Sequence, residues 1–125
     1  MPVIYIVSMY CDIKTEVNII PKKLKSLLRK CNANNEACLI YADLNAHCHI
    51  WGSPDDNDRG LIFEDQLIRE FGLNVLNEGD TPTYYGGNTI NGTHIDVTMC
   101  TSNLTRFTRN WSNRDSVPSS DHALL

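Results

Sequence analysis

The segment Ala37-Cys38-Leu39-Ile40-Tyr41-Ala42 is continuously apolar and runs straight into Asp43-Leu44-Asn45. Six apolar residues are too few for a helix core and suit a strand covered on both faces, as in sheets that carry helices. The residues upstream agree. Leu24, Leu27, Leu28 and Cys31 recur at helical spacing with lysines on the opposite side. Pro21 fits the first turn, where its missing N–H costs nothing, and Asn32, Asn34 and Asn35 end the helix. Before it, residues 3–10 read as a buried strand rich in Val, Ile and Tyr. A strand, a helix and a second strand in this order point to an α/β architecture.

The rest of the chain extends that pattern. Asp58 can cap a second helix with an inner face of Leu61, Phe63, Leu67, Ile68 and Phe71, stopped by Gly72. Short strands are expected at 73–76 and 82–85, and a last one at 105–112. Residues 93–100 alternate, with Ile95, Val97 and Met99 on one face and His94, Asp96 and Thr98 on the other. The whole chain, 1–125, reads as part of one domain, an α/β or α+β sandwich half. Apolar residues at both ends, Met1–Val7 and Ala123–Leu125, read as strands of a larger fold.

Composition narrows the function. With 42% hydrophobic and 21% charged residues the chain is globular material. No apolar run approaches the ~20 residues needed to span a bilayer, and the opening run is short for a signal peptide and lacks a preceding positive charge. Five scattered cysteines, an odd number, suit reduced thiols and an intracellular setting. A net charge of −4 is a poor balance for tight nucleic-acid binding through phosphates but suits a site that gathers carboxylates round a cation. The basic residues Lys22, Lys23, Lys25, Arg29 and Lys30, and then Arg106, Arg109 and Arg114, form either solvated faces or phosphate-binding strips.

Chemistry-bearing residues sit at strand ends, where ligands gather in α/β sheets. If the chain stays extended, period-two spacing aims Asp43 and Asn45 the same way. A carboxylate there can take a proton from water, and the amide can hold that water. By itself this pair also suits a turn or a cap. Asp96 lies inside an apolar strand and needs a partner. His122, in Ser119-Ser120-Asp121-His122, is the candidate, because a carboxylate fixes an imidazole's tautomer and favours its protonation. Tyr10 ends the first strand and could reach the same place, though taken alone it reads as core. His47-Cys48-His49 offers metal-ligand types, but a structural zinc site needs four ligands and the other cysteines show no ligand spacing. Asp55, Asp56, Asn57 and Asp58 lack the Gly and Glu of a calcium loop and read as polar surface.

Together these segments resemble the endonuclease domain of arthropod non-LTR retrotransposons, in the endonuclease/exonuclease/phosphatase (deoxyribonuclease I-like) superfamily. The resemblance rests on Ile40-Tyr41-Ala42-Asp43-Leu44-Asn45-Ala46-His47 with Trp51-Gly52-Ser53, on Asp58-Arg59-Gly60, and on Gly72-Leu73-Asn74-Val75-Leu76-Asn77. It extends through Thr81-Pro82-Thr83-Tyr84, Ile95-Asp96-Val97-Thr98 and Ser120-Asp121-His122. It implies a partial four-layer α/β/β/α sandwich, lacking the N-terminal part and last strand. It also implies hydrolysis of a DNA phosphodiester with Mg2+ or Mn2+. Asp43 would activate water and Asn45 position water or phosphate. Asp96 would orient His122, His122 and Tyr10 would contact the phosphate, and Asp121 would lie on or near the metal. The family's first half supplies an Asn and a metal-binding Glu. Nothing here aligns with them, since Glu16 and Glu36 lie in other segments. An uncovered sheet could then drive self-association, and an active domain would work on chromosomal DNA in the nucleus. The alternatives are an inactive retroelement remnant and a phosphatase of the same superfamily.

Overall fold

The computed structural model describes residues 3–14, 20–86, 91–113 and 122–123. Four strands form one mixed sheet in the order β1-β2-β4-β3. β1 (Ile4–Tyr10) runs parallel to β2 (Ala37–Asp43), joined by α1 (Lys22–Asn34). β4 (Asp96–Cys100) is antiparallel to β2, and β3 (Asn74–Val75) is antiparallel to β4. Because β1 and β2 are parallel and in register, Tyr10 and Asp43 end side by side. Because β4 is antiparallel, Asp43 also lies opposite Asp96. Three residues far apart in sequence thus meet at one sheet end.

One face of the sheet holds the core. Cys38, Ile40 and Ala42 of β2 and Val97 and Met99 of β4 pack against Leu24, Leu28 and Cys31 of α1 and against Phe63, Leu67 and Trp51. The leucine stripe of α1 behaves as its spacing requires, and Asn35 closes the helix in the left-handed region at φ 53°. The opposite face is only partly covered. Ile4, Ile6, Tyr10 and Tyr41 are exposed on it, so neither β1 nor β2 is buried on both sides.

The second helix differs from its reading. Its N-cap is Asn57, not Asp58: the Asn57 side-chain oxygen accepts from the Gly60 N–H at 2.8 Å and from the His47 N–H at 3.1 Å. The helix α2 (Asp58–Phe63) then widens into a π turn over Glu64–Arg69. Leu67 is fully buried and Glu64 nearly so, while Leu61, ahead of that turn, points out at 45% exposure. Residues 82–85 contribute only an isolated bridge, in which Tyr84 pairs with both Thr93 and His122. Residues 105–112 are not a strand. A 3-10 turn covers Ser102–Phe107, and Asn110 takes a positive φ of 58°, which breaks strand geometry. Trp111 instead reaches back, its indole N–H donating to Thr98 Oγ1 at 3.1 Å. Thr98 is consequently buried, and so is His94, whose ring reaches the Asp80 carbonyl; both were expected on the outer face of the 93–100 segment.

Candidate active site

The end of β2 does not stay extended. Asn45 has φ 47°, its N–H donates to Asp43 Oδ1 at 3.1 Å, and its Nδ2 donates to the Cys11 carbonyl at 2.8 Å. Asn45 therefore turns the chain, braces the Asp43 carboxylate and ties β2 to the residues leaving β1. Asp43 and Asn45 do not share one direction as period-two spacing supposed.

Arg59 completes that brace. Its guanidinium donates to the carbonyls of Leu44 (3.0 Å), Asp12 (2.9 Å), Cys11 (3.2 Å) and Ile13 (3.4 Å). It therefore clamps the segment after β1 against the segment after β2 while lying over the Phe63 ring. The sequence reading quoted Asp58-Arg59-Gly60 without a role for Arg59. A lysine cannot reproduce a planar fork of five donors. Arg59→Lys is expected to cost about 1–3 kcal/mol, read as a lower denaturation midpoint, and to lower affinity for any ligand that needs Tyr10 and Asp43 in register.

His122 comes to the sheet end beside Tyr84. The Ala123 N–H donates to the Thr83 carbonyl at 2.7 Å, and the Tyr84 ring lies against the imidazole at 4.8 Å between centroids. Its Nδ1 faces both Asp96 oxygens, at 3.0 and 2.8 Å. That contact turns Nε2 toward Asp43 Oδ2, 3.8 Å away. Asp96 is itself held through its backbone. Thr83 Oγ1, buried, accepts from the Ile95 and Asp96 N–H groups at 3.2 and 3.1 Å, and Asn77 Nδ2 donates to the Asp96 carbonyl at 3.0 Å. Thr83 and Asn77 are supporting residues to which the sequence reading gave no role. Tyr10 is not core: it is 69% exposed and lines an open cleft of about 320 Å³ with Ser8, Tyr41, Asp43, Asp96 and His122. Asn45 is not among the residues lining it. Asp121, assigned to the metal by resemblance, lies outside the described residues.

Asp43 is electrostatically uncomfortable. Burial, and then the Asp96 carboxylate, push its pKa up, partly offset by the Asn45 N–H, His122 and Arg59. A raised folded-state pKa means that the folded protein binds this proton more tightly than the unfolded chain. The ionised carboxylate therefore costs stability at neutral pH, and the cost fades as pH falls through the folded pKa. Asp43→Asn, which keeps an oxygen for the Asn45 N–H, should raise the metal-free melting temperature at pH 7. The gain should vanish at acid pH. A lower melting temperature at pH 7 would contradict the assignment. The same strain suits a divalent cation: ligand atoms of Asp43, Asp96 and His122 all lie within 4.8 Å of one another. Magnesium takes one or two protein carboxylates and completes its shell with water and phosphate.

The family described as Endonuclease-reverse transcriptase matches residues 4–125. The chain belongs to that family. Its fold is similar to the solved endonuclease domain of TRAS1, a telomere-specific non-LTR retrotransposon, with a TM-score of 0.75 and 31% identity over 91% of this chain. The match covers 52% of that structure, so the chain spans about half the length of the solved domain. No curated protein matches. As a member of the endonuclease–reverse transcriptase family the chain is a mixed α/β sheet protein of the deoxyribonuclease I-like superfamily, as the sequence reading expected.

Proposed function

We propose that this chain is part of a non-LTR retrotransposon endonuclease domain and hydrolyses DNA phosphodiesters with the help of a divalent cation. The observation that carries the reading is the His122 imidazole, held by Asp96 on one nitrogen and turned toward Asp43 with the other. The family match and the retrotransposon endonuclease fold support it.

The chemistry follows from the positions. Asp96 fixes the orientation of the His122 ring, so that Nε2 faces the place where a phosphate oxygen would lie. Asp43, beside it and with a pKa above the ordinary carboxylate range, can orient water for in-line attack and accept its proton. Asn45 keeps the Asp43 carboxylate in place through its N–H. Tyr10, exposed at the rim, can donate its hydroxyl to the same phosphate. A Mg2+ or Mn2+ ion beside this pair, with Asp121 as the carboxylate the family resemblance assigns to it, would offset charge on the phosphate.

A phosphatase of the same superfamily would share these groups, so the substrate decides between the two readings. Purified chain given magnesium should convert supercoiled plasmid to the relaxed form and release little inorganic phosphate from inositol phosphates. Phosphate release without nicking would reverse the assignment.

A further inference from the structure

The loop after the candidate active site gathers a second set of ligand atoms. Cys48 precedes a 3-10 turn over His49–Trp51, and Asp56 returns from the far arm of the same loop. His49 Nδ1 lies 3.0 and 3.2 Å from the two Asp56 oxygens and 3.9 Å from Cys48 Sγ. These three ligand atoms fall within 4.8 Å of one another. In a tetrahedral zinc site, bonds of about 2.0–2.3 Å place neighbouring ligand atoms roughly 3.3–3.6 Å apart. The nitrogen–oxygen separations are shorter, at hydrogen-bond length, so His49 and Asp56 must part slightly and the sulfur approach slightly to admit an ion.

Burial, against the lowering effect of the Ile50 N–H, pushes the Cys48 thiol up to about 11, so a bound cation must displace its proton. Two carboxylates stand by the sulfur: Asp56, and the buried Glu64, whose Oε2 lies 3.5 Å from Sγ. The ligands are also held by the backbone. The His49 N–H donates to Asp56 Oδ1 at 2.7 Å, the Ser53 N–H to the Cys48 carbonyl, and the Asn57 N–H to the His47 carbonyl. The sulfur faces inward, while His49 and Asp56 open to solvent and give an ion its entry.

We propose that Cys48, His49 and Asp56 bind a thiophilic divalent cation of the zinc class, with water in the fourth position and Glu64 behind the sulfur. On binding, the Cys48 S–H bond breaks, a sulfur–metal bond forms, and the proton leaves to the buffer. The sequence reading set His47-Cys48-His49 aside for want of ligands. The missing ligand is Asp56, brought round by the loop, and His47 is used elsewhere, on Asp55 at 3.1 Å. Bound metal would pin the two arms of the loop that leads from Asn45 to the Asn57 cap and the Arg59 clamp. The oxygen-rich Asp43–Asp96–His122 cluster has no sulfur and suits a harder ion, so the two centres differ in the metal they select.

The test is cobalt titration of the whole chain, stripped with chelator and kept reduced. One equivalent should produce a sulfur-to-cobalt charge-transfer band with visible bands of a four-coordinate ion. One equivalent of zinc should abolish those bands and raise the melting temperature. Cys48→Ser should remove the sulfur band. His49→Ala, at an exposed position that leaves the fold intact by circular dichroism, should weaken cobalt binding by more than about tenfold. No sulfur band in the wild-type chain, or a band unchanged in both variants, overturns the proposal.

Discussion

Asp96→Asn and His122→Ala should each lower magnesium-dependent plasmid nicking by about 10²–10⁴-fold, and the double variant should be scarcely worse than either single one. The reason is shared function. Asp96 acts mainly through the imidazole it holds at 2.8 Å. Once the ring is gone the carboxylate has nothing to orient, and an asparagine in its place cannot stabilise an imidazolium. Residues that work as a unit give grossly non-additive losses. His122 is partly exposed, 38% by side chain, so its removal should lower the melting temperature only modestly, through the lost bonds to Asp96 and the lost offset at Asp43. Multiplicative losses would show that Asp96 and His122 act separately, and a large fall in stability with His122→Ala would mark the pair as structural.

The second large effect is on folding. Gly60 sits in the first turn of α2, where a glycine ordinarily costs about 1 kcal/mol relative to alanine. It is retained for space. A Cβ there would lie 1.8 Å from the His47 carbonyl oxygen and 2.5 Å from its carbon. Both are backbone atoms, held by the Asn57 bonds to His47. Either α2 withdraws, taking Arg59 off the four carbonyls it clamps, or the loop after Asn45 opens. Gly60→Ala is therefore expected to cost about 3 kcal/mol or more, the upper end of overpacking penalties, measured by denaturant unfolding. Gly72→Ala is the comparison. It meets nothing within 4 Å but has φ 67°, so its cost should be about 1–2 kcal/mol. A Gly60→Ala loss no larger than that of Gly72→Ala would contradict the packing described.

Both predictions rest on contacts of different legibility. The Asp96–His122 pair could be read in the sequence, because a carboxylate inside an apolar strand demands a partner and few residues could supply one. The α1 stripe and the Asn35 cap were legible because they are local. What failed was mostly not local. The run of residues 105–112 looked like a strand, but among the described residues no neighbour pairs with it, and Trp111 turns in to cover Thr98. Leu61 and Phe63, two residues apart, cannot share one face of an α-helix, so Phe63 is buried and Leu61 lies outside, ahead of the π turn. Arg59 gave no signal because its partners are carbonyl oxygens, which every residue carries. Taken alone Tyr10 reads as core, because an aromatic at a strand end looks the same whether or not a layer covers it, and only the family resemblance points it to the site. Asp56 was taken for plain loop, since only the folded chain shows it returning to His49.

The most direct test compares the wild-type chain with an Asp43→Ala, His122→Ala double variant on supercoiled plasmid, with magnesium and with excess chelator. The account predicts that relaxed circles accumulate only for the wild-type chain with magnesium. Nicking that is absent from the wild-type chain, or equal in the double variant, would contradict it.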